Sequence, residues 1–122
     1  MSGPTGKIAT PGVGTLDWET ITRHDAAIRE VSDPVDWPIE RVRAHIVIES
    51  GGHPRAMQNN LHNGPSYGLM QIVPYGNGWD GWHKLVKEKA GLPDNASKQR
   101  VIDALYDPAI NIAVGVAILE DF

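Results

Sequence analysis

The sequence predicts a single, mainly α-helical domain, and three observations carry that prediction. Five segments place apolar residues at helical spacing or are bounded by recognisable helix caps. No segment alternates apolar and polar residues convincingly, as a half-buried strand does. The length of 122 residues fits one small domain with a single core, and because the chain has no cysteine, packing alone must stabilise it.

The charge and hydropathy of the chain limit its partners. The formal net charge is −4 without a block of like charge, whereas nucleic-acid binding needs a clustered basic surface. We therefore expect no nucleic acid as a partner. No apolar run approaches the length needed to cross a bilayer, so no membrane span is expected either.

Residues 1–14 differ in composition from the rest of the chain. They are rich in glycine and proline, show no periodicity, and lack the basic start and apolar middle of a signal peptide. We predict a flexible leader or linker over residues 1–14, followed by one domain over residues 15–122. A leader of this kind is typical of a domain within a longer protein.

The first helix is predicted over residues 17–32, with Asp17 as its N-cap. The face expected to pack inward comprises Ile21, His24, Ile28 and Val31. We expect His24 to be a hydrogen-bonded packing residue on this face rather than a catalyst.

The second helix is predicted over residues 38–50 and carries one carboxylate in an apolar stripe. Pro38 suits its first turn, where no backbone donor is needed. At 100° per residue, Glu49 lies within about 80° of the rest of the stripe. The stripe comprises Ile39, Val42 and Ile46, and further apolar residues on other faces are Ala44, Val47 and Ile48. The C-terminal half of this helix is therefore expected to be enclosed nearly all round.

The end of the second helix makes the carboxylate of Glu49 unusual. Gly51 or Gly52 is expected to adopt the left-handed conformation that closes the helix, and Pro54 prevents its continuation. Glu49 then lies in the last turn, where the helix dipole disfavours an anion. Burial and the dipole both favour the protonated carboxyl, which is the form that a general acid needs.

The residues alone leave two interpretations of Glu49 open. In the first, Glu49 is a structural helix-end carboxylate that turns outward or pairs with Arg43 or Arg55. In the second, it is a general acid held in an apolar pocket.

Three further helices are predicted in the second half of the chain, over residues 82–90, 95–106 and 107–122. The last begins with Asp107 as cap and Pro108 in the first turn, and Gly115 allows close approach of a neighbouring helix. Its apolar stripe comprises Ile112, Val116 and Leu119. The segments between the predicted helices are loops rich in glycine, asparagine and proline.

Three sequence blocks occur in an order that resembles the lytic transglycosylase family, whose catalytic domain has the soluble-transglycosylase, lysozyme-like fold. The blocks are ESGGHPRA at residues 49–56, SYGLMQIVP at residues 66–74, and DPAINIAVGVAIL at residues 107–119. The resemblance covers roughly residues 17–119. The resemblance implies a mainly α, lysozyme-like domain with long cleft-forming loops.

The same resemblance implies a reaction and a role for Glu49. Members of the family cleave the β-1,4 bond between N-acetylmuramic acid and N-acetylglucosamine in peptidoglycan. Glu49 would be the sole catalytic carboxylate, acting first as acid on the glycosidic oxygen and then as base on the C6 hydroxyl of muramic acid. The product would carry a 1,6-anhydro sugar, and no cofactor would be needed.

The resemblance also implies which residues form the sugar-binding cleft. Residues 68–71 would form one wall, with Gln71 hydrogen-bonding an N-acetyl group or a hydroxyl. Met70 belongs to that wall, although Met70 and Leu69 are expected to pack more than to contact substrate. Gln58 stands where the family often has a serine that contacts the cleft.

Further candidates for sugar contact lie on either side of Gln71. Ser66 and Tyr67 adjoin the wall, and Tyr67 is expected to face the sugar, with burial in the core as the alternative. Tyr75, Trp79 and Trp82 are candidate platforms on which sugar rings stack, with anchoring of their loop as the alternative.

Two departures from the family pattern concern the cleft. Val73 stands where a second methionine often follows Gln-Ile. An Ala-Tyr-Asn-Ala-Gly block, whose tyrosine lies near the catalytic carboxyl in the family, does not occur before Phe122. We therefore expect this chain to lack one wall of the cleft: either the chain is truncated, or the wall is supplied from elsewhere, or this is a reduced variant.

Three alternative functions stay open. A goose-type-lysozyme-like hydrolase would use water as the nucleophile and would need a second carboxylate, for which Asp80 is the candidate. His45, Glu49 and His53 have the spacing of metal ligands, but the glycines should end the helix first, so we expect no metal site. A noncatalytic wall-binding or structural module would keep the fold without the activity.

The implied place of action is the bacterial cell wall, with peptidoglycan glycan strands as the substrate. The leader and the absence of a signal peptide fit a phage lysin or tail protein, in which other domains would be partners. A secreted or periplasmic bacterial enzyme fits equally well.

Overall fold

The computed structural model describes residues 6–10 and 14–121, and these residues form a mainly α fold, which confirms the predicted class. The α-helices in chain order are α1 (Glu19–Thr22), α2 (Asp25–Ser32), α3 (Ile39–Ser50), α4 (His83–Ala90), α5 (Lys98–Ala104) and α6 (Pro108–Glu120). A 3₁₀ turn at Asp33–Val35 lies between α2 and α3. Short strands are β1 (Lys7–Thr10), β2 (Gly14–Asp17), β3 (Met57–Gln58) and β4 (Ser66–Tyr67).

The strands were not predicted, since no segment of the sequence alternates convincingly. β1 pairs with β2 in antiparallel register, with Ile8 opposite Leu16. β3 and β4 are also antiparallel, with Met57 opposite Tyr67. Strands of two to four residues are too short for alternation to be visible in a sequence. The division into a leader over residues 1–14 and a domain over residues 15–122 stays a prediction, and residues 1–5 and 11–13 lie outside the described residues.

The predicted first helix is divided into α1 and α2, so the prediction of one continuous helix over residues 17–32 was wrong. The backbone amide of His24 donates to the carbonyl of Ile21 at 3.0 Å, which tightens the chain into a turn before α2 begins. The predicted inward face is nevertheless present, because Ile21, His24 and Ile28 are all buried. The carboxylate of Asp17 accepts a hydrogen bond from the Glu19 amide at 3.1 Å, although Asp17 itself ends β2.

α3 ends as predicted, where Gly51 closes it with a φ of 63°, and it begins at Ile39, one residue later than predicted, with Pro38 as its N-cap. Its predicted enclosure is wrong, because Ala44 is exposed and Ile48 is 79% exposed. The buried face contains Arg43, whose Nε donates to the Asp25 carboxylate at 3.0 Å and so joins α3 to α2. α3 therefore packs on one side only and leaves its other side open.

α6 is the central helix of the domain and packs against both α2 and α4. The side chain of Asp107 accepts from the Ala109 amide at 2.9 Å, and Pro108 occupies the first turn, as predicted. α4 also lies where it was predicted. α5 begins three residues later than predicted, at Lys98, because the Ser97 hydroxyl caps it.

The core gathers apolar side chains from every helix and from the segment around β4. Those with less than one tenth of their surface exposed are Ile21, Ile28, Val42, Ile46, Tyr67, Leu69, Met70, Ile72, Val86, Val101, Leu105, Ile112, Val114 and Val116. In the part of the chain that the structure describes, no single helix is long and apolar enough to cross a bilayer. α5 and α6 together meet the length and composition criteria but are bent by 93°.

Candidate active site

A cleft with a volume of about 380 Å³ lies between the end of α3, the loops around β4 and the C-terminal half of α6. Its lining residues are His45, Glu49, Asn63, Met70, Gln71, Ile72, Val73, Trp79, Trp82, Gly115, Ile118 and Leu119. Glu49 is the one carboxylate among these lining residues. The cleft therefore combines a single acid with aromatic and aliphatic walls.

Glu49 is half-buried in the last turn of α3, and neither predicted ion-pair partner contacts it. Arg43 is bound to Asp25, which is the only salt bridge among the residues that the structure describes. The guanidinium of Arg55 lies over the ring of Tyr106, 4.4 Å from its centroid. The carboxylate of Glu49 is thus left without an ion-pair partner in the described part of the chain.

A second concavity, which we call the outer pocket, shares Glu49 with the cleft and has a volume of about 430 Å³. Its lining residues are Ile48, Glu49, Ser50, Gly51, His53, Arg55, Ala56, Met57 and Gln58. Because Glu49 lines both cavities, a chain-like ligand that meets this carboxylate has room on both sides of it. Gln58, one of the predicted contact residues, faces the outer pocket rather than the cleft.

The side chain of Gln71 is held inside the cleft wall. Its Nε2 donates to the carbonyls of Ala56 at 3.1 Å and Gly68 at 2.9 Å, and its Oε1 accepts from the Ser66 hydroxyl at 2.6 Å. The backbone of Gln71 has a φ of 53°, a conformation that these bonds hold in place. Both amide protons of Gln71 are therefore donated to carbonyls of the protein. These bonds hold together the cleft wall that Gln71 also lines.

Asn111 is a site-supporting residue to which the sequence analysis gave no role of its own. It is fully buried in α6, and its Oδ1 accepts from the Met70 amide at 2.7 Å. Its Nδ2 donates to the carbonyls of Tyr67 and Leu105, each at 2.9 Å. The sequence signal for this role was an amide side chain in an otherwise apolar helix, because a buried amide must find hydrogen-bond partners.

Gly115 accommodates the cleft wall and not a neighbouring helix, which corrects the prediction made for it. A Cβ atom at this position would lie 2.4 Å from Sδ of Met70. Met70 is 7% exposed and Leu69 is fully buried, so both pack mainly in the core, as expected. The remaining surface of Met70 lies against the cleft.

The aromatic candidates divide into two groups. Trp79 and Trp82 line the cleft, with their ring centroids 6.2 Å apart and their planes at 81°. The indole of Trp79 donates to the Asn63 carbonyl at 3.0 Å while the side chain stays 43% exposed. Tyr75 does not line the cleft but stacks on His83, 5.1 Å away, with the Lys98 ammonium 4.9 Å from its ring centroid.

Tyr67 and Ser66 are buried beneath the wall, at 9% and 3% exposure. The Tyr67 ring meets the Tyr106 ring edge-on, at 5.9 Å and 90°, and burial raises the pKa of the Tyr67 hydroxyl, with a smaller contribution from Tyr106. This arrangement agrees with the core alternative for Tyr67 rather than with a sugar-facing ring. Its burial depends on Tyr106, which is 39 residues away in the sequence, so local pattern could not reveal it.

The residues of the two rival sites are not assembled. α3 ends at Ser50, so His53 does not continue the helical face of His45 and Glu49. Within residues 6–10 and 14–121, no group of three His, Cys, Asp or Glu side chains is placed to hold a metal ion. Asp80 is exposed and does not line the cleft.

Comparison with known proteins gives one match. The family model for the transglycosylase SLT domain matches residues 35–122, which is more than half of the chain and includes Glu49, the cleft wall and α6. Neither the curated proteins nor the solved structures gave a match.

Proposed function

The chain belongs to the transglycosylase SLT domain family, a lysozyme-like family that cleaves peptidoglycan, and from that premise we propose that it is a lytic transglycosylase. The bond cleaved is the β-1,4 bond from N-acetylmuramic acid to N-acetylglucosamine. The product carries 1,6-anhydro-N-acetylmuramic acid, and the place of action is the bacterial cell wall.

Glu49 carries both proton transfers of this reaction. Its protonated carboxyl gives a proton to the glycosidic oxygen as the bond from that oxygen to C1 breaks. The resulting carboxylate takes the proton of the C6 hydroxyl, and the C6 oxygen forms the new bond to C1. Glu49 therefore returns to its protonated form, and no water is consumed.

The observation that carries this proposal is the position of Glu49. It is the single carboxylate of the cleft, it lines cavities on both sides, and it has no ion-pair partner in the described part of the chain. A structural carboxylate would be expected to use one of the nearby arginines, whereas Arg43 and Arg55 are engaged elsewhere. An unpaired acid between two cavities suits a bond that spans them.

The other candidates divide into contact and positioning roles. We assign sugar stacking to Trp79 and Trp82, because both line the cleft and one presents an exposed ring. Gln58 contacts substrate from the outer pocket. Gln71 and Ser66 position the wall, since their polar atoms bond to each other.

The absence of a second acid in the cleft supports a transglycosylase over a hydrolase. Hydrolases of this general kind use a pair of carboxylates, one of which activates water or attacks the sugar. Among the described residues, Glu49 is the only acid that lines the cleft or the outer pocket. The intramolecular C6 hydroxyl replaces that water and needs no second carboxylate.

Mass spectrometry of the products from intact peptidoglycan tests the proposal. Anhydro ends, lighter than reducing ends by one water, are expected from the native protein. Glu49→Gln keeps the shape of the side chain and removes its proton, so the rate should fall by at least about a hundredfold. Reducing ends would indicate the hydrolase, and unchanged lysis by Glu49→Gln would indicate that this residue is not the catalyst.

The route to the cell wall belongs to the proposal as well. A phage lysin or tail protein and a secreted or periplasmic enzyme would both deliver the domain to peptidoglycan. A noncatalytic wall-binding module would bind peptidoglycan without releasing soluble fragments, which the same product analysis would reveal.

A further inference from the structure

We propose that Asn77 is a site of spontaneous deamidation and that its side-chain amide ties together two loops at the edge of the cleft. These are the tryptophan loop, residues 75–82, and the asparagine loop, residues 59–65. Conversion of the amide to a carboxylate opens the tie. The modification itself is independent of the proposed function, whereas its effect on glycan cleavage rests on that function.

Three hydrogen bonds between described residues join the two loops where Trp79 lines the cleft. The backbone amide of Asn77 and the indole of Trp79 both donate to the Asn63 carbonyl, each at 3.0 Å. The Nδ2 of Asn77 donates to the Leu61 carbonyl at 2.8 Å. Loss of that amide group would leave the tryptophan loop bonded to the asparagine loop through the Asn63 carbonyl alone.

Asn63 and Asn77 are the two asparagines of the chain that precede a glycine. Deamidation is fastest at Asn-Gly, because a glycine has no Cβ to hinder the approach of its backbone nitrogen to the preceding side chain. The two sites therefore share the reactive dipeptide, and their surroundings in the fold determine which of them reacts.

The reaction consumes one water for each amide lost. The nitrogen of Gly78, the next residue, bonds to Cγ of Asn77 and gives up its proton, and Nδ2 leaves as ammonia, which closes a succinimide ring. Water then opens the ring at one of its two carbonyls. The product is aspartate, or isoaspartate, in which the main chain gains a methylene. In both products OH replaces NH2, so the mass rises by the difference between these groups.

The two attacking glycine nitrogens differ in their freedom to move. Gly64 is buried, and its amide donates to the Asn60 carbonyl at 2.9 Å. A Cβ atom on Gly64 would lie 2.7 Å from the Tyr75 carbonyl oxygen, so its backbone has little room to turn. Gly78 is exposed, and nothing beyond its chain neighbours lies within 4 Å of such a Cβ. Its amide donates to no residue in the described part of the chain, so it is free to turn toward Asn77.

The Asn77 side chain has to leave the Leu61 carbonyl before it reacts, and that bond lies at an exposed position. Water replaces an exposed hydrogen bond at little cost, so this bond slows the reaction less than the burial of Gly64 does at the other site. Asn77 is therefore the expected site of reaction.

The product cannot restore the tie, because a carboxylate accepts hydrogen bonds and donates none. It would face the Leu61 carbonyl, which is also an acceptor. Isoaspartate would in addition lengthen the main chain between Gly76 and Trp79, where the fit is close. A Cβ atom on Gly76 would lie 2.5 Å from the Trp79 indole. After deamidation the indole should therefore be held less firmly at the cleft.

Peptide mapping by mass spectrometry, on protein aged at neutral pH, tests the modification. The mass increase should appear at Asn77 at least about fivefold faster than at Asn63 in the folded protein. In guanidinium chloride the two rates should converge, since both glycines are then free to move. Asn77→Gln should show no increase at residue 77 over the same period, because glutamine would have to form a larger ring.

Three results of this mapping would overturn the proposed site. They are no mass increase at Asn77, equal rates at the two sites of the folded protein, and a faster reaction at Asn63. A difference that persists in guanidinium chloride would assign the selectivity to the neighbouring sequence and would overturn the argument from the fold. None of these measurements depends on catalysis, so they stand if the proposed function fails.

The tie is tested with Asn77→Asp, which reproduces the aspartate product. KM for soluble glycan strands should rise about threefold with little change in kcat, because Trp79 is held less firmly before and during the reaction alike. Asn59→Asp is the matched control, since Asn59 is an exposed residue of the asparagine loop and receives the same charge. A rise of KM in both variants would indicate a general effect of charge, and an unchanged KM in Asn77→Asp would remove the tie.

Exchange of the Trp79 indole proton with solvent, measured by NMR, tests the tie without catalysis. Exchange should be about threefold faster in Asn77→Asp than in the native protein and unchanged in Asn59→Asp. If exchange follows this pattern and the native protein releases no glycan fragments, the tie is supported and the proposed function fails. Equal exchange in all three proteins would overturn the tie whether or not the enzyme is active.

Discussion

Glu49 faces two cavities from the last turn of α3, and the protein itself encloses it only in part. The sequence suggested that neighbouring apolar residues would surround this carboxyl, but Ile48 points to solvent. Sugar rings bound in these cavities would complete the enclosure by displacing water. The substrate would then supply part of the enclosure of the carboxyl to which we assign the proposed proton transfers.

Trp79 is the residue at which sugar stacking can be tested most directly. Trp79→Ala should raise KM for soluble glycan strands about tenfold, because the stacking surface is lost, while kcat changes little. Trp79→Phe keeps an aromatic face and should recover most of the affinity.

The control for Trp79 is Trp37, an aromatic residue outside the cleft that lies beneath Arg41. Steady-state kinetics of Trp37→Ala should match those of the native protein. An unchanged KM for Trp79→Ala would show that this indole only anchors its loop through Asn63.

At the level of elements, Asn111 joins the central helix α6 to the cleft wall through two hydrogen bonds and to the end of α5 through a third. Asn111→Leu is close in volume but leaves the Met70 amide and the Leu105 carbonyl buried without partners, whereas the Tyr67 carbonyl keeps its bond from the Ile72 amide. We expect a loss of about 3 kcal/mol in the free energy of unfolding, measured by urea denaturation. Activity should also fall in the folded variant, since the wall loses its attachment.

Asn59 provides the control for Asn111, because it is an exposed asparagine in the loop before β4. Asn59→Ala should change stability by less than about 0.5 kcal/mol. Equal stabilities of Asn111→Leu and the native protein would mean that water satisfies the freed groups.

The elements that sequence predicted well are those whose ends are set locally. α3 closes at Gly51 and α6 opens at Asp107 and Pro108, and each signal acts within a few residues of the helix end. The break at His24 and the strands β1 and β2 depend on pairing and packing with other segments. A single-sequence pattern carries little information about such contacts.

The residues of the candidate site also fall into two groups, those whose place could be predicted from local sequence and those whose place depends on tertiary contacts. Glu49, Met70 and Gln71 lie at the cleft, which the sequence blocks that contain them border, and Trp79 reaches it from the loop after the second block. The burial of Tyr67 against Tyr106 and the stacking of Tyr75 on His83 are decided by tertiary contacts. Of the three hydrogen-bond partners of Gln71, Gly68 and Ser66 are close in sequence, and only Ala56, 15 residues away, depends on how the loops pack.

At the scale of the whole molecule, the break between α1 and α2 packs beneath the end of α3. A Cβ atom on Gly52 would lie 2.8 Å from the Thr20 carbonyl oxygen, so only glycine allows this close approach. His24 is buried in the same break, and its Nε2 has no hydrogen-bond partner there. The helix end that carries Glu49 therefore rests on a layer that contains a titratable group.

This layer should make the folded domain sensitive to acid. Burial lowers the pKa of His24 below its usual 6.5, with a further lowering by Arg23 and partial opposition from the Gly52 backbone and Asp25. Between the folded and unfolded pKa values the unfolded chain binds more protons, so stability falls as the pH drops below about 6.5 and levels off below the folded pKa. Urea midpoints between about pH 5 and about pH 7.5 measure this decline.

His24→Phe removes the titrating group from this layer while filling a similar volume, so its stability should depend less on pH in the same range. His62→Gln is the control, because His62 is exposed and its loss should leave the native pH dependence intact. If native and His24→Phe midpoints decline in parallel, other groups govern the acid response. If the midpoint declines in the native protein and in His62→Gln but not in His24→Phe, the acid response is assigned to His24, in the layer beneath the end of α3.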